Sequence, residues 1–206
     1  MTKEPLRLTP FEELMHDLHS PHRPMAFLAR LQFEGRFEAE PCRRAIVNTL
    51  ALHSLTRSRV VRGPRGLYWE PMGDPAITVQ EGDWPSMSYV PLSLSEAPGV
   101  MVRVTIGRSG SALDIQLHHA VSDGRGAMGL LRDFMVEYAR ATGSDLPGAE
   151  RDPGMLATRG SFGLDALTFL EEAPKQSLGL IGILVNAVMT GVEHKATAWQ
   201  RGLTNK

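Results

Sequence analysis

The feature that most constrains this chain is a strand that ends in two histidines and turns at once into a helix. Ala112-Leu113-Asp114-Ile115-Gln116-Leu117 alternates apolar and polar, as a half-buried strand should, with Leu113, Ile115 and Leu117 on one face. His118 and His119 follow, then Asp123-Gly124, then a helical pattern from Arg125 to Ala141. Met128, Leu131, Phe134, Met135 and Tyr138 recur there at steps of three and four. Two imidazoles are thus expected at a strand end and a carboxylate where the chain enters a helix. Such junctions suit chemistry, because rigid elements hold polar groups on a short exposed turn.

The surrounding pattern predicts a mixed α/β chain. Thr9-Pro10 opens a helix, with Thr9 as N-cap and Glu12 and Glu13 near the positive end of the helix dipole. Residues 25–34 (MAFLARLQFE) form a strand candidate and residues 38–55 a helix, with Cys42, Ala45, Ile46, Thr49, Leu50 and His53 on one face. Residues 57–62 and 67–71, joined by Gly63-Pro64-Arg65-Gly66, read as a hairpin. Short strands are expected at 76–80 and 88–94, and a second hairpin, 100–106 with 112–117, delivers the histidines. The expected fold is a mixed sheet with helices 38–55 and 125–141 packed on one face.

The pattern H-H-x-x-x-D-G, filled here by His118, His119, Asp123 and Gly124, resembles the signature of the CoA-dependent acyltransferase superfamily. That group includes condensation domains, wax ester synthases, polyketide-associated acyltransferases and chloramphenicol acetyltransferase. The segment Leu52-His53-Ser54-Leu55-Thr56-Arg57-Ser58-Arg59-Val60 is similar to a second motif of the group, R-H-x-x-L-R-T-x-F. It keeps the histidine and the following arginine but lacks the leading arginine and the Leu-Arg-Thr core. The resemblance covers residues 8–141 and implies a chloramphenicol acetyltransferase-like two-layer sandwich, one half of a pseudo-dimer. It also implies secondary or lipid metabolism as the setting.

The resemblance implies acyl transfer from a CoA or phosphopantetheinyl carrier-protein thioester to a hydroxyl or amine of a small acceptor, with no tightly bound cofactor. Such a reaction needs a base that takes the acceptor's proton as attack begins, and a neutral imidazole suits that task near pH 7. By resemblance His119 is that base, with Nε2 free and the other nitrogen held by a backbone carbonyl or similar acceptor. His118, Asp123 and Gly124 would support the site, with Asp123 turned away to pair with Arg57. A buried pair of that kind is costly to break, because one charge is left alone. Ser122 is poorly placed as a nucleophile, three residues beyond His119.

Charge and composition narrow the alternatives. With 22 basic and 23 acidic residues, nothing points to a nucleic-acid partner. A single cysteine, Cys42, excludes an intramolecular disulfide framework, and its place in a helical pattern suits a small core residue. Without an apolar leader after Met1, a cytoplasmic location is expected. His16, His19 and His22 stand three apart, but Pro21 ends the helix before His22, so a solvated helix end is expected rather than a metal site.

Beyond Ala141 the character changes. The expected division is an acyltransferase half-domain over 1–142, a Gly- and Pro-rich linker over 143–160, and a helical segment over 161–206. The run 177–192 is apolar, carries Asn186, and is shorter than the roughly twenty residues a bilayer span needs. It is better suited to pack on a missing domain or a partner chain, and is the one place where membrane contact stays open. Chloramphenicol acetyltransferase carries its motif near the C-terminus, whereas 82 residues follow Gly124 here, so the chain resembles the N-terminal piece of a condensation-type protein. Activity is then expected to need a second half or self-association. A non-catalytic half-domain that binds an acyl carrier or partner subunit is the alternative, and a metal site at His118, His119 and Asp123 is a third.

Overall fold

A computed structural model describes residues 6–152 and 154–159, all within the unit Met1–Gly160. In chain order the elements are β1 (Leu6–Arg7), α1 (Pro10–Leu18), β2 (Ala26–Phe33), α2 (Ala39–Leu52), a 3-10 turn (Ser54–Arg57), β3 (Ser58–Gly63), β4 (Gly66–Pro71), β5 (Ala76–Glu81), β6 (Val100–Ile106), β7 (Ser111–His118), α3 (Gly124–Ala141) and α4 (Met155–Thr158). The expected helical segment 161–206, with its apolar run, lies outside the described residues. No described helix is long and apolar enough to cross a membrane.

The main sheet has the order β2-β7-β6-β5, antiparallel except for the parallel pair β5–β6. A smaller antiparallel sheet, β1-β4-β3, contains the expected hairpin. Both long helices lie on one face of the main sheet. Ile46, Thr49 and Leu50 of α2 and Leu130 and Phe134 of α3 meet Val102, Leu113 and Ile115. Full burial of a side chain such as Phe134, 2% exposed, is worth about 1.5–3 kcal/mol. Cys42 is buried in this core, and burial pushes its thiol up to about 12, which makes it an inert packing residue.

The start of α1 follows the sequence rule closely. Thr9 Oγ1 accepts from the Glu12 N–H at 3.3 Å, and the Glu12 carboxylate accepts from the Thr9 N–H at 2.8 Å. Glu12 also accepts from Trp69 Nε1 at 3.0 Å and pairs with Arg159 at 2.8 Å, which ties α1 to the small sheet.

Three expectations are corrected. First, β7 is buried on both faces rather than half-buried. On the face away from the helices, Arg30 clamps Asp114 through Nε at 2.5 Å and Nη2 at 2.7 Å, and donates to the Pro85 carbonyl at 2.8 Å. Second, residues 88–94 form no strand. The Gln116 side chain supplies the pairing instead: Val90 N–H donates to its Oε1 at 2.8 Å, and its Nε2 donates to the Val90 carbonyl at 2.6 Å. One side chain thereby satisfies a backbone that would otherwise need a neighbouring strand.

Third, α3 is rotated relative to its apolar stripe. Met128 and Met135 are exposed, at 66% and 41%, while Asp133 and Glu137 are buried. The acids turn inward because partners wait there. Asp133 is bonded by His53 Nε2 at 2.9 Å, Arg151 Nε at 2.8 Å and Arg132 Nη2 at 3.0 Å. Glu137 accepts from Asn48 at 3.0 Å and from the Ala149 N–H at 3.2 Å. Burial opposes ionisation of both acids, yet these hydrogen bonds outweigh it and hold both carboxyls below their ordinary range. Residues 149–151, within the stretch read as a linker, thus lie against α3.

Candidate functional site

The backbone around the two histidines is clamped from both sides. Ala26 pairs with His118 in the β2–β7 ladder, and the His119 N–H donates to the Met25 carbonyl at 2.8 Å. The His118 N–H donates to the Gly99 carbonyl at 2.8 Å. Val121 and Ser122 then close a turn on the His118 carbonyl, at 2.8 and 3.2 Å. Asp123 is the N-cap of α3, its Oδ1 accepting from the Gly126 N–H at 2.7 Å.

Two glycines lie in close contact with this turn. A Cβ at Gly99 would lie 2.8 Å from Val121 Cγ2 and 2.9 Å from the His118 Cβ, and one at Gly126 would lie 2.4 Å from Ser122 Oγ. Gly124 has open space around its Cα, so nothing in the structure requires glycine there. Ser122 Oγ donates to the Asp123 carbonyl at 3.1 Å and does not engage His119.

The histidines differ in environment. His118 is 1% exposed, its Nδ1 accepts from the Ala120 N–H at 3.1 Å, and its ring lies 4.6 Å from that of His19. Burial first, then the neighbouring His19, His119 and His16, lower its pKa from 6.5 to about 3. It is neutral, with its proton on Nε2. His119 is half-buried, its ring 4.9 Å from that of Phe27. Burial lowers its pKa, while the Asp123 carboxylate pulls it partly back. No described residue hydrogen-bonds to its ring, so the expected carbonyl on its second nitrogen is not found among them. The site therefore presents a neutral imidazole with an available lone pair, on a backbone fixed by strand and turn.

Arg57 and Asp123 do not pair. Arg57 Nε lies 2.8 Å from Asp74 Oδ1, a charge contact rather than an aligned hydrogen bond. After α2 ends, the 3-10 turn points Arg57 toward the β4–β5 loop, where its carbonyl also accepts from Met72 and Gly73 at 2.9 and 3.2 Å. Asp123 is exposed and occupied as a helix cap, which a carboxylate does without any cation. His53, the other matched letter of that motif, instead joins Asp133.

The helix-end histidines also divide. His16 contacts Asp17 at 3.0 Å and His22 is exposed, whereas His19 is half-buried with its ring packed on that of His118. Among the described residues, no group of three or more His, Cys, Asp or Glu is placed to hold a metal ion. Sequence reasoning missed His19, Gly99 and Phe27 as parts of this site. Only the tight Pro98-Gly99 step before a strand hinted at a close approach.

No protein-family model and no curated protein matches the chain by sequence. Solved structures do match in fold. The X-domain from teicoplanin biosynthesis, in complex with OxyB, aligns with a TM-score of 0.62 at 17% identity, covering 84% of this chain and 40% of that one. SgcC5 from Streptomyces globisporus aligns with a TM-score of 0.63 at 20% identity, covering 84% and 46%. The starter condensation domain of rhizomide synthetase RzmA aligns with a TM-score of 0.61 at 16% identity, covering 83% and 47%. The fold is that of the condensation-domain and chloramphenicol acetyltransferase-like group. The chain spans less than half the length of each of these proteins, as a half-domain does.

Proposed function

We propose that this chain is the motif-bearing half of a condensation-type acyltransferase, with His119 as its general base. The observation that carries the proposal is the His119 ring: half-buried, neutral, unbonded by any described residue, and anchored through its backbone to Met25. In the proposed reaction, His119 Nε2 takes the proton of a hydroxyl or amine as that group attacks a thioester carbonyl. The tetrahedral intermediate collapses by breaking the C–S bond, and the imidazolium returns its proton to the leaving thiolate. The products are an ester or amide and a free thiol. Asp123 favours the imidazolium that forms, and His118 keeps the turn in shape.

The donor class is supported by a neighbour of the same fold, a mutant of the RzmA starter condensation domain solved in complex with C8-CoA. A CoA or carrier-protein thioester is therefore the proposed co-substrate, with a second half-domain or a second copy completing the site. A second reading, a half-domain that docks a partner protein without catalysis, is supported by the X-domain neighbour, solved in complex with OxyB.

The test is thioester consumption with a panel of alcohols and amines, using the chain alone and the protein completed by a second half. His119→Ala should lower the rate by roughly two to four orders of magnitude with donor binding little changed. Turnover of His119→Ala at the wild-type rate would overturn the proposal.

A further inference from the structure

His19 is a polar group against the motif that the proposed chemistry leaves unused. It is the C-cap of α1, with extended backbone (φ −69°, ψ 131°). A tight turn follows, with Ser20 and Arg23 exchanging backbone hydrogen bonds at 3.1 Å each, and returns the chain to β2. This brings the His19 ring back over the end of β7. Its Nδ1 accepts from the Met25 N–H at 3.1 Å, while the carbonyl of the same Met25 accepts from the His119 N–H at 2.8 Å. Its ring also lies 4.6 Å from that of His118, tilted by 40°. One imidazole therefore contacts one motif histidine directly and the other through a single residue.

We infer that His19 is a positioning residue for the His118–His119 pair, holding Met25 in register for His119 and covering the ring of His118. Two parts of the side chain do separate work. The lone pair on Nδ1 fixes the Met25 peptide, and through it the height at which His119 leaves the sheet. The ring face shields His118 from water. The role requires neutral His19 with its proton on Nε2, since a protonated ring has no lone pair to accept the Met25 N–H. The titratable groups around it are His16 on its own helix and His118, whose ring it faces at the end of β7. The inference rests on His119 being the base, but the geometry it predicts is measurable without turnover.

Three variants of the full chain separate the two parts. His19→Asn offers an amide oxygen near the place of Nδ1 but no ring. His19→Phe keeps a ring but no acceptor, and His19→Ala has neither. Amide hydrogen exchange of His119 and ring NMR signals of His118 are followed in each, beside thermal melts. We expect the His119 amide to exchange about fivefold faster or more in His19→Phe and His19→Ala, and near the wild-type rate in His19→Asn. The His118 ring signals should move in His19→Asn and His19→Ala and stay closest to wild type in His19→Phe. In turnover by the completed protein, His19→Phe should lower kcat with KM little changed, and His19→Asn should restore part of it. Unchanged His119 exchange in both His19→Phe and His19→Ala would overturn the inference, as would loss of the fold in all three variants, which would make His19 purely structural. Wild-type turnover by His119→Ala would instead overturn the catalytic reading and leave the exchange result standing.

Discussion

Gly99 and His118 are held against each other: the His118 N–H donates to the Gly99 carbonyl at 2.8 Å, and a Cβ at residue 99 would come within 2.9 Å of the His118 Cβ. The same Cβ would meet Leu94 Cδ2 at 2.4 Å and Val121 Cγ2 at 2.8 Å. Leu94, Val121 and His118 are all buried, so the atoms met by that Cβ have little room to yield. Gly99→Ala should therefore destabilise by about 1–3 kcal/mol, the usual range for overpacking a filled interior. A denaturant melt of the variant checks this, and an unchanged midpoint would show that the turn yields freely.

The buried neutral state of His118 makes stability depend on pH. In the unfolded chain an ordinary imidazole titrates near 6.5, and in the folded chain this one is lowered to about 3. Between those values the unfolded state binds the extra proton. The contribution of His118 is thus fully present above the unfolded value and fades as pH falls, at up to about 1.4 kcal/mol per pH unit. His19, His53 and His119 are also lowered, so their contributions have the same sign. His118→Asn should flatten the pH dependence measured between pH 6.5 and 5, above the range where carboxylates titrate. An equal slope in wild type and variant would show that His118 is not the group responsible.

The Asp133 cluster should be far less tolerant of change than the motif aspartate. Asp133 is 1% exposed and receives His53, Arg132 and Arg151. Asp133→Ala leaves the half-buried guanidinium of Arg151 without its partner and should cost about 3–5 kcal/mol. Arg151 reaches Asp133 across Gly129, where a Cβ would come 2.5 Å from its Nη2. Gly129→Ala should therefore loosen residues 149–151, seen as increased amide exchange there; unchanged exchange would show that Arg151 reaches Asp133 by another path.

Asp123 acts on α3 and on His119 by different routes, which two substitutions separate. Asn is also a good N-cap, so Asp123→Asn should keep the helix while removing the charge that favours protonated His119. NMR titration should then show the His119 pKa lower than in wild type. Asp123→Ala should in addition lose about 1 kcal/mol of cap stability. Because Arg57 pairs with Asp74, Arg57→Ala combined with Asp123→Ala should be additive to within about 0.5 kcal/mol. A coupling larger than that would mean that the two side chains meet in solution.

What the sequence determined by itself is the set of features governed by near neighbours along the chain. The Thr9–Glu12 capping box, the helical face of Cys42, Ala45, Ile46, Thr49 and Leu50, and the arrival of the histidines at a strand end all depend on contacts a few residues apart. Tertiary structure alone decided which distant groups meet. The order β2-β7-β6-β5 places Met25 beside His119 and Gly99 beside His118, and the turn after α1 carries His19 over them. Asp133 and Glu137 turned inward past two methionines because a buried charge goes where its partners are, while the half-exposed Arg57 met Asp74 across the β4–β5 loop. Hydrophobic periodicity cannot express that, since it registers which positions are apolar and not which polar groups will find each other across the fold.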